Sequence, residues 1–170
     1  MSQNLWQIAL KGKIGIQLFL LLVVGSSLAS SKLAANESVA RQWNEVLLQA
    51  IREDFARPTI HARNLFHVSV AMYDSWAAYD TTTSTYFLGK TVHGFLCPFN
   101  EINLPPSSQK EQYQEEAMSF AAFRLLMHRF KDSPGADSSL PRFQRLLQRL
   151  GYNETDTSLN YESGNPAALG

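Results

Sequence analysis

The residues that could do chemistry in this chain form a stripe on one predicted helix. Arg63, His67 and Asp74 recur at helical spacing, so at about 100° per residue their side chains fall within about 40° of one another. Such a stripe could hold an anion or tune the pKa of the histidine. The reading we favour is structural, with Asp74 accepting hydrogen bonds from neighbouring helices, because buried charged groups are normally paired.

The standard motifs of nucleophile, nucleotide and metal chemistry are missing from the sequence. It contains no Gly-x-Ser-x-Gly, no Gly-x-Gly-x-x-Gly, no Walker loop, no His-Glu-x-x-His and no Cys-x-x-Cys. His61 and His67 do not have the i, i+4 spacing of a metal-binding pair on a helix. The single Cys97 excludes an intramolecular disulfide and a Cys-rich zinc site. We therefore predict no catalytic residue, metal ligand or cofactor within this chain.

The composition is that of one globular domain without a nucleic-acid partner. The 170 residues suit one domain, and with 45% hydrophobic residues they can bury a core. Lys and Arg number 15 and so do Asp and Glu, so the overall balance gives no basic surface for nucleic acid.

The first 29 residues have the pattern of a secretory signal peptide. Lys11 and Lys13 precede the apolar run Ile14–Val24, and small residues follow up to Ala29. The alternative is an N-terminal membrane anchor, but the run is shorter than the roughly 20 apolar residues that span a bilayer. We predict a signal peptide at 1–29, a short linker at 30–36, export to the periplasm or outside the cell, and no stable membrane insertion after cleavage.

The elements that must position the stripe are about four helices. Each is bounded by capping residues, prolines or glycines. The first helix starts at an Asn36 cap with Glu37 in its first turn and ends at Arg57-Pro58. The others are expected from about Thr59 to Tyr79, from a Ser108–Glu111 capping box to about Phe130, and from a Ser138 or Ser139 cap to Gly151.

Two segments are less regular. Residues 86–108 show no sustained period and carry Gly and Pro, so we expect a long irregular connection with a short extended piece at Thr85–Leu88. Asn165-Pro166 begins a helical pattern that has only one turn before Gly170. One helical turn forms too few hydrogen bonds to offset the free-energy cost of helix nucleation. We therefore expect this end to fray unless the natural protein continues.

Several stretches resemble a known family. Residues 39–52 (VARQWNEVLLQAIR) and 61–80 (HARNLFHVSVAMYDSWAAYD) are similar to the N-terminal half of secreted vanadium-dependent haloperoxidase-like proteins, relatives of the type 2 phosphatidic acid phosphatases. Residues 117–126, 150–152 and 164–170 continue the likeness in the same order, so that it spans residues 37–170.

The resemblance implies an all-α helical bundle that is incomplete, because the family's vanadate site lies in the C-terminal half. That site uses Lys-x6-Arg-Pro, Pro-Ser-Gly-His and Ser-Arg-x5-His. Here Ala50 stands where Arg57-Pro58 would need its lysine, and Ser163-Gly164 is followed by Asn165. Vanadate is therefore expected only in a full-length homologue, and Arg63 and Asp74 match family positions that look structural.

We accordingly interpret residues 37–170 as an N-terminal scaffold fragment of a halide-oxidising, peroxide-using enzyme, inactive alone, whose partner is the missing C-terminal half. Two alternatives remain: a fragment of a related acid phosphatase, and a self-standing exported helical binding protein. The second and third helices have more apolar surface than four helices can cover, so we also expect exposed apolar faces.

Overall fold

The computed structural model describes residues 37–170, so the predicted signal peptide, the linker and the Asn36 cap lie outside the described residues. The described residues are mainly helical, which confirms the all-α class. The elements are α1 (Val39–Arg52), α2 (Pro58–Ala77), β1 (Thr91–Val92), β2 (Phe95–Leu96), α3 (Lys110–Phe130), α4 (Ala136–Arg149), a 3-10 turn (Tyr161–Ser163) and α5 (Pro166–Leu169). Helix α3 is central, since it packs against each of the other four helices.

Helix α1 presents a clean apolar stripe to this core. Val39, Trp43, Leu47 and Ala50 recur every three or four residues and are all buried, as their spacing predicts. The indole N–H of Trp43 donates to Ser119 Oγ on α3 at 3.2 Å. The N-cap is Ser38, whose side chain accepts the N–H of residue 41, so the predicted start at Asn36 was too early.

The predicted capping box of α3 was wrong. The N-cap is Gln109, and its side chain makes no capping hydrogen bond. Its backbone N–H instead donates to the carbonyl of Pro106 at 2.8 Å. Ser108 therefore lies within the turn that begins at Pro106. It is not at the N-cap position, so its side chain does not cap α3.

Helix α4 begins at Ala136, before the serines that were predicted to cap it. Ser138 and Ser139 donate their hydroxyls to the Glu53 carboxylate at 2.7 and 3.1 Å, and Arg142 donates to both of its oxygens at 3.1 and 2.8 Å. These bonds, led by the guanidinium, hold the pKa of Glu53 far below its usual range. The serines thus join α4 to the end of α1.

The long connection before α3 is irregular, as predicted, but its extended piece lies elsewhere. Strands β1 and β2 pair antiparallel, Thr91 with Leu96 and Val92 with Phe95. His93 and Gly94 between them have φ values of 50° and 81°, as the favoured two-residue hairpin turns require. Residues 85–88 form no strand, because the backbone N–H groups of 86–88 bond to a side chain of α2.

The C-terminal turn does form, contrary to the expectation that it frays. Asn165 Oδ1 accepts the N–H of Ala168 at 3.2 Å, and Ala167 is fully buried. A Cβ added to Gly170 would lie 2.1 Å from the carbonyl oxygen of Ala117 on α3. Burial and close packing against α3 therefore supply the stability that a single turn lacks by itself.

The exposed apolar surface expected on the second and third helices is found on α2 but not on α3. Phe66 and Tyr73 are 45% and 41% exposed on α2, whereas α3 exposes no large apolar side chain. Among the described residues, six other large apolar side chains are exposed outside the helices: Phe55, Tyr86, Phe95, Leu96, Leu104 and Leu159.

Candidate functional site

A mainly apolar groove lies between α2, α3, the long connection and the C-terminal turn. Its volume is about 560 Å³, which falls in the range of small-molecule sites. Val70 of α2, Leu125 of α3 and Leu169 of α5 contribute to its apolar wall.

The structure brings two of the three predicted stripe residues to this groove. His67 and Asp74 both line it and lie about two helical turns apart along α2. Arg63 is exposed and lies outside the lining, although its charge still acts on His67. The three side chains therefore do not form one cluster around the groove, although they were predicted to share a face of α2.

Asp74 is structural, although its partners are not those expected. Its carboxylate accepts the backbone N–H groups of Phe87 at 2.8 Å and Leu88 at 3.1 Å, and also that of Tyr86. The residue is 5% exposed. The prediction that neighbouring helices supply the donors was wrong, because the connection folds back over α2 and its amides would otherwise be unpaired.

His67 is held as a neutral hydrogen-bond acceptor. Its Nδ1 lies 2.9 Å from a guanidinium nitrogen of Arg129, and since arginine can only donate, Nδ1 accepts and the ring proton is on Nε2. Burial lowers the pKa of His67, and the charges of Arg129 and Arg63 lower it further. Its basic nitrogen is thus occupied, and the ring offers the groove only an N–H donor.

Arg124 is the groove residue that sequence reasoning missed. Its guanidinium donates to the backbone carbonyls of Ala167 at 2.6 Å and Asp156 at 3.0 Å, and lies 5.1 Å above the ring of Phe120. Burial lowers the pKa of Arg124, partly offset by the charge of Asp156. The available signal was one arginine within the otherwise apolar run 120–126.

The remaining polar groups of the groove do not assemble a reactive centre. Cys97 is partly buried in its wall, and the hydroxyl of Ser75 donates to the carbonyl of Ala71 at 2.8 Å. Across residues 37–170, no group of three His, Cys, Asp or Glu side chains could hold a metal ion. His128 also lines the groove and is exposed. The arrangement can bind an apolar molecule, while Asp74 and Arg124 hold parts of the fold together.

Comparisons with known proteins give no relative for this chain. No family model matches it, and neither a curated protein nor a solved structure does. Within the part of the chain that the structure describes, no helix is long and apolar enough to cross a membrane.

Proposed function

We propose that residues 37–170 are the N-terminal scaffold of a vanadium-dependent haloperoxidase-like domain, exported by the leader at 1–29. The sequence resemblance over these residues and the all-α architecture support this proposal. In this role the helices carry the fold, and oxidation of halide by peroxide takes place on residues that follow them.

One observation carries the proposal: two charged side chains of the groove, Asp74 and Arg124, hold backbone segments in place. Asp74 holds residues 86–88 on α2, and Arg124 holds two carbonyls of the C-terminal segment on α3. These contacts hold segments that are remote in sequence against α2 and α3, which is what a scaffold requires.

The groove does not fit vanadate. An oxyanion of that charge needs several converging cationic and neutral donors, and a histidine with an available basic nitrogen would have to bond the metal. Among the described residues, one arginine and no lysine line the groove: Arg124 donates to two carbonyl oxygens. The Nδ1 of His67 accepts from Arg129, and the other lining histidine, His128, is exposed at the rim. We therefore derive no catalytic step from these residues and place the vanadate motifs beyond Gly170, with the C-terminal half as the partner.

A fragment of a related acid phosphatase would have the same scaffold, so the reading frame beyond Gly170 decides between the two enzymes.

The second candidate function is that of a self-standing exported binding protein. The groove favours it, because about 560 Å³ of mainly apolar space could hold a small organic molecule without any partner.

The test is to sequence the natural reading frame past the codon for Gly170. We expect Lys-x6-Arg-Pro, Pro-Ser-Gly-His and Ser-Arg-x5-His to follow in frame and in that order. A stop codon there, together with cooperative unfolding of a monomeric product, would establish the binding protein instead.

An activity assay tests the scaffold role separately. The purified chain, given vanadate, peroxide and bromide, should oxidise no more halide than a protein-free blank. Turnover that is lost on removing vanadate would show that a site exists within these residues and would overturn the proposal.

A further inference from the structure

The groove of the candidate site keeps its shape through bonds within the described chain. Leu88 of the long connection lines it, and the N–H of Leu88 donates to the Asp74 carboxylate at 3.1 Å. Leu169 of α5 also lines it, and the carbonyl of Ala167 in the same turn accepts from Arg124 at 2.6 Å. The walls that lie outside the long helices are therefore fixed before any ligand arrives, and a preformed site binds without the cost of ordering its own residues.

The charged side chains of the lining balance each other. Among the described residues, the lining contains one carboxylate, Asp74, one guanidinium, Arg124, and two histidines. The Asp74 oxygens accept three backbone N–H groups, and Arg124 donates to two backbone carbonyls. An ion that entered the groove would leave water without meeting an excess of opposite charge, and such a transfer is costly. The balance therefore favours an uncharged ligand.

His67 presents the groove with a hydrogen-bond donor of a fixed kind. Its Nδ1 accepts from Arg129 at 2.9 Å, which places the ring proton on Nε2. No residue of the described chain accepts this N–H, and His67 lines the groove. Burial lowers the pKa of His67, and the charges of Arg129 and Arg63 lower it further, so the ring is neutral near neutral pH. The groove thus combines an apolar wall with a neutral N–H that is open to a ligand.

We propose that the groove binds a neutral, mainly hydrocarbon molecule that carries a ketone or ester carbonyl, whose oxygen accepts the Nε2–H of His67. A carbonyl oxygen satisfies this donor and adds no donor of its own that would need an acceptor. The hydrocarbon part lies against the apolar wall, which includes Val70, Leu125 and Leu169, and the space of about 560 Å³ suits a molecule of this kind. This ligand site rests on the second candidate function, binding by the chain itself, and does not depend on the vanadate motifs.

The first test follows the emission of prodan, a neutral naphthyl ketone whose fluorescence shifts to the blue when it leaves water. Titrated with the purified full chain, prodan should show a saturable blue shift. Val70→Trp places a large side chain in the groove and should abolish the shift. The control Ala62→Trp adds the same side chain at an exposed position of α2 outside the groove and should leave the shift unchanged. A saturable shift that persists in V70W would place the probe elsewhere, such as on the apolar run 14–24, and would overturn the site.

The second test asks whether His67 binds the carbonyl oxygen. Acetylnaphthalene and ethylnaphthalene have nearly the same shape, only the first carries an oxygen, and both should displace prodan from the groove. His67→Phe keeps an aromatic ring and removes the N–H. It should raise the dissociation constant of acetylnaphthalene about fivefold, as expected for one hydrogen bond between neutral groups, and leave that of ethylnaphthalene unchanged. Equal effects of H67F on both compounds would refute the assigned ligand class, while the groove would still stand as a binding site.

The charge of the ligand is tested on the parent chain, without a variant. Naphthoate, which carries a carboxylate on the same rings, should bind at least about tenfold more weakly than acetylnaphthalene, because the carboxylate loses its hydration. Naphthoate that binds as tightly as the ketone, or more tightly, would assign an anionic ligand to Arg124 and overturn the neutral class. If the parent chain gives no saturable shift with prodan, the groove is refuted as a binding site. The scaffold role would be unaffected by that result, since the reading frame past Gly170 tests it separately.

Discussion

The replacement of Asp74 by asparagine is the most direct test of how this fold is held together. Both oxygens of the carboxylate are used: one accepts the N–H of Tyr86, and the other accepts those of Phe87 and Leu88. Asparagine has one acceptor oxygen, and its amide nitrogen can only donate. In the best orientation two N–H groups keep a partner and the third faces another donor.

The magnitude follows from these bonds. A hydrogen bond to a charged group contributes about 1.5–3 kcal/mol and one between neutral groups about 1 kcal/mol, while an unpaired buried donor costs about 1–3 kcal/mol. Asp74 is 5% exposed, so water does not replace the lost acceptor. We expect D74N to lower the free energy of unfolding by about 2–4 kcal/mol, a large part of the roughly 5–15 kcal/mol of a small domain.

Urea unfolding followed by far-UV circular dichroism measures this loss, and hydrogen exchange locates it. The amides of residues 86–88 should lose protection in D74N while those of α1 keep it. The control is D132N, at an exposed aspartate after α3, which should change the stability by less than about 0.5 kcal/mol. If D74N unfolds at the same urea concentration as the parent with unchanged exchange at 86–88, the structural role assigned to Asp74 is refuted.

Three further predictions concern close packing and pH. Gly164 has φ +81°, and a Cβ added to it would lie 2.1 Å from the carbonyl oxygen of Asn103. Gly151 has φ +93°, but a Cβ added there would meet open space. Thermal unfolding should therefore show G164A destabilised by more than about 2 kcal/mol and the control G151A by about 1 kcal/mol. The pKa of His67 is lowered in the fold, so the unfolded chain binds more protons than the folded chain as pH falls below about 6.5, and the stability decreases there. H67Q should reduce the change in urea midpoint between pH 7.5 and pH 5.5. An equal change in H67Q and in the parent protein would contradict this. The pKa of Glu53 is also lowered in the fold, but the stability that this contributes is lost only below about pH 4.5, the ordinary pKa of a glutamate. E53Q should lower the urea midpoint at pH 7 and weaken the dependence of that midpoint on acid below pH 4.5. An unaltered acid profile would show that ionisation of Glu53 is not coupled to folding.

The sequence predicted the helices better than their ends. The stripe of α1 gives its buried face directly, because every third or fourth position is apolar and is buried. The serines near the starts of α3 and α4 misled the prediction for two different reasons. Ser108 lies in the turn before α3. Ser138 and Ser139 lie inside α4 and donate to a carboxylate that arrives from a remote part of the chain.

The candidate site was only partly predictable. Helical spacing placed His67 and Asp74 on one face of α2, and both line the groove. Spacing could not show that Asp74 would meet backbone amides of the connection, or that Arg124 would hold the last turn of the chain. Those contacts depend on where a long irregular segment and a single helical turn are folded, which local propensity does not specify.

The sequence by itself determined the helical class, the approximate extent of four helices and the irregular character of the long connection, because apolar periodicity and breaking residues are local properties. Only the tertiary structure decided that residues 166–169 form a turn, since burial against α3 provides what local propensity lacks. It also decided that Phe95 and Leu96 are exposed on both faces of a hairpin. Exposure is a property of what surrounds a residue, and the sequence around these two does not specify it.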